Sequence, residues 1–143
     1  MKIISLKIGG LVSLGLITLG IILFFGYRMY NKPHVDVEKE KAELVIRADL
    51  LIEDFENNEN QANAKYVDKI LQLEGTVSRI SFETGNGFVT LKGQNDVSGV
   101  LCQMMPEENK NILKYKVGNK VIIKGICTGY LIDVTMVRCV FVD

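Results

Sequence analysis

A set of aromatic and basic side chains in the second half of the chain could bind a ligand. The candidate residues are Arg79, Phe82, Phe88, Lys92, Gln103, Tyr130 and Arg138. An aromatic ring can stack on a base or a sugar, at about 1–3 kcal/mol per stacked base, and lysine or arginine can meet a phosphate. Residues 65–143 hold ten basic and eight acidic residues. This small excess is less than single-strand nucleic-acid binders usually carry.

The residue types needed for catalysis or metal binding are scarce. The chain has one histidine, His34, which excludes histidine metal sites and triads, and its three cysteines are too far apart for a CxxC motif. Ser78 and Ser81 have no neighbouring base to activate them. With 17 basic and 17 acidic residues, the whole chain is neutral. We therefore expect a non-enzymatic protein without catalytic residues, metal or cofactor.

The apolar pattern after Tyr66 has a period of two, which indicates strands. Five strands are predicted at Ile70–Phe82, Phe88–Lys92, Val97–Met104, Lys120–Cys127 and Ile132–Val142. Asn86-Gly87 and Thr128-Gly129 are predicted to form turns. Gly75 marks a bend in the first strand, and a short helix is predicted at Pro106–Leu113. Three strands, a helix and two strands favour a mainly β fold, the five-stranded Greek-key barrel called the OB-fold.

This fold places the candidate residues. OB-folds bind ligands on the face of the second and third strands. Two loops flank this face: the loop between the first and second strands and the loop between the fourth and fifth strands. Those loops would be Phe82–Phe88 and Thr128–Asp133. The alternative is that Phe82 and Phe88 only close the barrel rim.

A predicted acidic helix precedes the barrel, which we place at residues 66–143. Residues 36–59 hold nine acids and three bases. We assign 31–36 as a linker and 37–65 as an amphipathic helical segment, with Asp36 as N-cap and a break within Asn57–Asn63. Val45, Ala48, Ile52 and Phe55 form its apolar stripe. Its acidic face is either a docking surface or simply solvated.

Residues 1–30 are predicted to be an N-terminal transmembrane signal anchor. Ile8 to Tyr27 carry no charge, and Lys2 and Lys7 precede them. Twenty residues at 1.5 Å each match a hydrocarbon core of about 30 Å, and no cleavage site follows. We expect a single-pass membrane protein with its C-terminal domain outside the cytoplasm, in the periplasm, although lysine and arginine counts slightly favour the reverse orientation.

The three cysteines have two interpretations. If the last hairpin turns near Gly129 and Tyr130, Cys127 faces a residue near 133, and this register opposes a bond to Cys139. Cys102 could reach Cys139 only if the third and fifth strands adjoin at that height. The cysteines are therefore either small buried hydrophobes or one disulfide with a spare thiol.

Two blocks of residues resemble a known family. The first has the spacing F-x2-NE-x2-A-x2-KY-x2-K-x5-G-x-V, from Phe55 to Val77. The second comprises Val100, Cys102, Gly118, Val121, Lys124, Gly125, Cys127, Gly129, Asp133, Val134 and Cys139. From Ala48 to Val142 the chain resembles the tRNA_anti-like family of OB-fold lipoproteins. The resemblance implies an OB-fold akin to anticodon-binding barrels. This chain lacks the cysteine that a lipid anchor would need, which favours the helical anchor.

These observations predict a non-enzymatic binding module of the cell envelope with a protein, peptide or glycan partner. The first alternative is a single-stranded nucleic-acid binder of the anticodon-binding type. The second is a structural or regulatory subunit of a membrane complex that acts through its anchor and acidic helix.

Overall fold

The computed structural model describes residues 15–28, 36–94 and 97–142, in two units, Met1–Val35 and Asp36–Asp143. In the first unit, residues 15–28 form helix α1. Among the described residues, we find no helix with both the length and the apolar character needed to span a bilayer. The rest of the predicted anchor and residues 31–35 of the predicted linker lie outside the described residues.

The described part of the second unit contains six strands and several short helices. In chain order they are β1 (Leu44–Arg47), α2 (Ala48–Asn57), α3 (Glu59–Tyr66), β2 (Ile70–Glu83), β3 (Asn86–Lys92), β4 (Gly99–Met104), a 3-10 turn (Pro106–Glu108), α4 (Asn109–Ile112), β5 (Lys120–Tyr130) and β6 (Val134–Phe141). The sheet order is β1-β2-β3-β4-β6-β5, and β2 also pairs with β5. Strands β2 to β6 therefore form a closed five-stranded barrel preceded by a helix, which confirms the mainly β OB-fold.

Strand alternation builds the core. Along β3, Val89 and Leu91 are fully buried on either side of half-exposed Thr90, and along β2, Leu71 and Leu73 are fully buried on either side of half-exposed Gln72. Successive side chains of a strand point to opposite faces, so one face of each strand fills the barrel. The other face is left for solvent or ligand.

The predicted helix start at Asp36 is wrong. Residues 36–40 make one turn, in which the Glu40 amide donates to the Asp36 carbonyl at 3.0 Å, and the chain then extends into β1, parallel to β2. Val37 is buried against Ile70 and Val140. Lys124 Nζ donates to the carbonyls of residues 38 and 40. These contacts with the barrel override the local helical preference.

The later part of the helical prediction agrees with the structure. Ala48, Ile52 and Phe55 are buried on α2, but Val45 lies on β1 and is 72% exposed. The predicted break falls at Asn58, whose side chain accepts from the Gln61 amide at 3.1 Å and so caps α3.

Both predicted hairpin turns are displaced. The β2–β3 turn is Thr84-Gly85, with φ of 49° and 85°, so Asn86-Gly87 already lies in β3. Glycine at 87 serves close packing, because a Cβ there would lie 2.1 Å from Cδ1 of Ile112. At the other hairpin, β5 continues to Tyr130, and Cys127 pairs with Met136 instead of a residue near 133.

Candidate ligand-binding face

The outer face of β2, β3 and β4 brings several predicted residues together. Ser81 pairs with Phe88, and Phe88 pairs with Gln103. In the next row Arg79 pairs with Thr90. Directly opposed residues share a face of the sheet, so Arg79, Phe88 and Gln103 lie on one outer surface. We call this surface the β2–β4 face.

A bulge shapes the middle of this face. The β2–β3 register shifts between Val77 and Arg79, which leaves both Ser78 and Arg79 exposed. Ser78 Oγ donates to the Thr90 carbonyl at 3.1 Å and fixes the bulge. Bulges of this kind re-aim a side chain without breaking the sheet.

A groove of 270 Å³ runs beside the bulge. It is lined by Ser78, Arg79, Thr90, Lys92, Gly93, Val97, Ser98, Gly99 and Asp133. Asp133 Oδ1 accepts from the Gly99 amide at 2.7 Å, which ties the β5–β6 turn to the start of β4. Two basic side chains and one carboxylate therefore line the same concavity. Charge of both signs suits a ligand that carries both signs.

A second groove, of 450 Å³, adjoins the first at Lys92 and Gly93. It is lined by Arg47, Asp49, Glu74, Gly75, Thr76, Lys92, Gly93, Gln94 and Lys120. Arg47 forms a salt bridge with Asp49 inside it. This groove too mixes charges, and Lys92 is common to both.

Two of the three predicted stacking rings are not on the β2–β4 face. Phe82 pairs with Gly87 one position beyond the outward pair of Ser81 and Phe88, so it lies on the opposite side of the hairpin. It is 48% exposed at the barrel rim. The Tyr130 ring stacks on Phe55 of α2, with centroids 5.7 Å apart. Of the three, Phe88 alone stays available on the face.

Arg138 lies at the far edge of the same region. The β4–β6 register shifts so that Cys102 pairs with Met136 and Met104 with Cys139. Gln103 is therefore opposite two residues, of which Arg138 is the second, and Arg138 has a φ of 53°.

The sequence-based prediction missed Ser78 and Thr90, and it placed Asp133 in a flanking loop without naming it as a ligand-binding residue. The alternation of Phe88, Thr90 and Lys92 along one strand was a usable signal for Thr90. The bulge at Ser78 and the bond from Gly99 to Asp133 depend on register and loop geometry, for which the sequence holds no local signal.

The cysteines belong to the core. Cys102, Cys127 and Cys139 are fully buried and unbonded to one another, so the structure shows the buried-hydrophobe alternative. Burial raises the pKa of Cys127. Burial, then Cys102 close by, raises the pKa of Cys139 well above its ordinary value. Buried thiols with a raised pKa, such as Cys127 and Cys139, are poor nucleophiles and poor metal ligands.

Comparison with known proteins supports the fold. No curated protein matches the chain. Among solved structures, it is similar to a candidate nucleic acid-binding lipoprotein from Klebsiella pneumoniae subsp. pneumoniae MGH 78578, with a TM-score of 0.59 and 14% identity over 69% of this chain and 92% of that one. One chain of a structure of yeast Stn1 and Ten1 matches with a TM-score of 0.44 and 15% identity, over 73% of this chain and 65% of that one.

Asparaginyl-tRNA synthetase from Entamoeba histolytica matches with a TM-score of 0.39 and 12% identity, over 52% of this chain and 21% of the synthetase. The Klebsiella likeness shows the same fold. The tRNA_anti-like family itself matches residues 1–141, nearly the full length. The match confirms the resemblance seen in the two residue blocks, and the chain belongs to the tRNA_anti-like family.

Proposed function

We propose that this protein is a non-enzymatic binding module whose β2–β4 face holds an extended segment of a protein partner. The observation that carries the proposal is the 270 Å³ groove, in which Arg79, Lys92 and Asp133 line one concavity. The outward row of Phe88 and Gln103 lies two positions away along the same strands. An extended peptide offers backbone donors, acceptors and side chains of both charges, which match this lining.

A polypeptide fits this face better than a single-stranded nucleic acid does. Nucleic-acid grooves on OB-folds combine positive charge with several stacking rings. Here Tyr130 packs against Phe55, Phe82 lies on the other side of the hairpin, and Asp133 would repel phosphate. A glycan partner would use the same polar groups and Phe88, and it is a further outcome of the test below.

Peptides selected against the full chain from a random displayed library test this proposal. We expect selected peptides to lose at least about tenfold in affinity, or 1.4 kcal/mol, for Phe88→Ala and Arg79→Glu. Lys41→Glu, an exposed change outside the face, serves as the control and should bind like the wild type. Peptides that bind all four proteins equally would show that the β2–β4 face is not the site.

Single-stranded nucleic acid is the second candidate. The observation in its favour is that Lys92 joins two grooves that also contain Arg79, Arg47 and Lys120. The Klebsiella protein of similar fold is itself described as a candidate nucleic acid-binding lipoprotein. If this candidate is correct, a labelled oligothymidylate will bind the full chain and its affinity will fall steeply between ~50 and ~200 mM salt. If the oligothymidylate binds in this salt-dependent way and does not bind the Lys92→Glu variant, the nucleic-acid candidate would replace the peptide proposal.

The proposal includes a membrane anchor, with the barrel outside the cytoplasm. The uncharged run from Ile8 to Tyr27 supports it, and so do the exposed apolar side chains of α1, such as Leu16, Ile22 and Phe25. Reporters active on only one side of the membrane, fused after residue 143, test the orientation. Release of the chain by alkaline carbonate, or a cytoplasmic reporter signal, would contradict this part of the proposal.

A further inference from the structure

A lysine-rich segment lies outside the β2–β4 face. From Asn109 to Ile132 the chain contains five lysines and no acidic residue. Two acidic residues, Glu107 and Glu108, precede this segment, and Glu108 accepts a hydrogen bond from Asn111 Nδ2 at 3.1 Å. The positive charge is thus concentrated on α4, the loop after it and the start of β5.

Four of the five lysines are exposed. Lys124 donates to two carbonyls of the 36–43 segment, so it has a structural role. The remaining four are Lys110, Lys114, Lys116 and Lys120, all exposed. Within the described ranges, none of these four takes part in a salt bridge.

Two exposed aliphatic residues lie in the same stretch of chain as these lysines. Leu113 is 74% exposed and Val117 is 66% exposed. Lys110, Leu113 and Lys114 have the spacing that places side chains on one face of a helical turn. We call Lys110, Leu113, Lys114, Lys116 and Val117 the lysine surface; Lys120 follows it in the chain and lines the 450 Å³ groove.

The one aromatic ring in this loop is half-buried against the barrel. Tyr115 stacks on Phe141, with ring centroids 4.4 Å apart and an angle of 29° between the planes. The lysine surface therefore offers cations and aliphatic groups but no base-stacking ring. That composition matches a bilayer interface, where ammonium groups meet anionic headgroups and aliphatic side chains enter the acyl boundary.

We propose that the lysine surface binds the anionic headgroups of a lipid bilayer. Each lysine near an anionic membrane surface strengthens attraction by about fivefold, and the effect falls off within a Debye length of about 8 Å at physiological salt. The inference uses the proposed anchor only as the reason that a bilayer is close. Contact of this kind would hold the barrel in one orientation, with a defined face available to partners.

An environment-sensitive fluorophore at residue 113 tests the contact. The full chain carrying Leu113→Cys is labelled, which is feasible because the three native thiols are fully buried, and is reconstituted in lipid nanodiscs. One set contains phosphatidylcholine only, and the other contains one part phosphatidylglycerol to two parts phosphatidylcholine. The matched control places the same label at Leu131→Cys, which is 91% exposed on the β5–β6 turn.

We expect a blue shift and at least about twofold less quenching by iodide at residue 113 in the anionic discs only, with reversal by salt. Lys114→Glu together with Lys116→Glu should abolish the shift, whereas Lys41→Glu should leave it unchanged. Equal emission from both disc types would overturn the inference. The inference would also be overturned if an oligothymidylate bound the chain in neutral discs and no longer bound the variant with both Lys114→Glu and Lys116→Glu.

The anchor and the lysine surface can fail separately. A chain that no nanodisc retains contradicts the anchor, and the labelled protein is then mixed with vesicles of the same two compositions. A shift with anionic vesicles alone would still support the lysine surface, and no shift would contradict it.

Discussion

The two ends of the barrel are closed in different ways. At the end where β5 finishes and β4 begins, ten-residue helix α2 buries Ala48, Leu51, Ile52 and Phe55. At the other end, where β3 begins, the single turn of α4 buries Ile112. One end is closed by a large apolar area and the other by the fit of one side chain.

Aromatic packing dominates the α2 end. The Phe55 ring lies 5.9 Å from the Tyr66 ring and 5.7 Å from the Tyr130 ring. Burial of rings at these separations contributes area and about 0.5–1.5 kcal/mol per pair beyond it. Phe55 thus connects α2, α3 and the end of β5.

Close fit dominates the α4 end. Ile112 occupies the space that a side chain at residue 87 would need. Asn109 fixes the approach, since its Oδ1 accepts from the Gly87 amide at 3.1 Å and its Nδ2 donates to the Gly85 carbonyl at 2.9 Å. The comparison indicates that the first end is sensitive to lost volume, whereas the second is sensitive to added volume as well as to lost volume.

Phe55→Ala should have the largest effect. Removing a buried phenylalanine leaves a cavity and costs about 3–5 kcal/mol, measured by urea unfolding of the full chain in detergent. Leu50→Ala, at a partly exposed position on the same helix, is the control and should change stability by less than about 1 kcal/mol. If the two variants unfold alike, the α2 end does not depend on this ring.

Gly87→Ala should destabilise the α4 end by about 1–3 kcal/mol through overpacking, and Ile112→Ala by about 2–5 kcal/mol through a cavity. Ile112→Ala vacates the space that the added methyl group of Gly87→Ala occupies. The double variant should therefore be more stable than the sum of the two single destabilisations predicts. A double-mutant cycle of unfolding free energies checks this. Strict additivity would mean that Ile112 does not contact residue 87 in solution.

The sequence predicts the barrel because strand alternation is a local signal. Buried Val89 and Leu91 alternate with outward-facing residues along β3, and buried positions alternate in the same way along most of β5. The parallel strand β1 had no such signal, since Leu44–Arg47 continue smoothly into the apolar stripe of α2. Its pairing with β2 joins residues 27 positions apart, as for Leu44 and Leu71, so tertiary contacts decide it.

The candidate site was predicted only in part, and the reason is register. Arg79, Phe88 and Gln103 share a face because β2, β3 and β4, which the sequence predicts, pair in chain order. The sequence predicts a turn at Thr128-Gly129, and this turn would put Tyr130 in a loop that flanks the ligand-binding face. In the structure, β5 continues beyond the predicted turn to Tyr130, and Phe55 packs against the Tyr130 ring. One displaced turn changes which side chains meet a ligand.

The smallest expected effect on stability concerns the hydrogen bond between Tyr66 of α3 and Asp54 of α2. Tyr66 Oη donates to Asp54 Oδ2, and Lys65 Nζ lies 3.0 Å from the same oxygen. The Tyr66 hydrogen bond, followed by that of Lys65, lowers the pKa of Asp54 below its ordinary value of 3.8. Because the folded-state pKa is lowered, this contribution is present above the unfolded pKa and is lost as pH falls through the folded one.

Tyr66→Phe should therefore cost about 1 kcal/mol at neutral pH and flatten the loss of stability on acidification. Unfolding free energies of the full chain measured from about pH 6 to pH 3 give both quantities. Tyr115→Phe removes a hydroxyl at the α4 end and should follow the wild-type curve. Parallel curves for wild type and Tyr66→Phe would show that Asp54 titrates without help from the tyrosine, and the α2 end would then rest on apolar area alone.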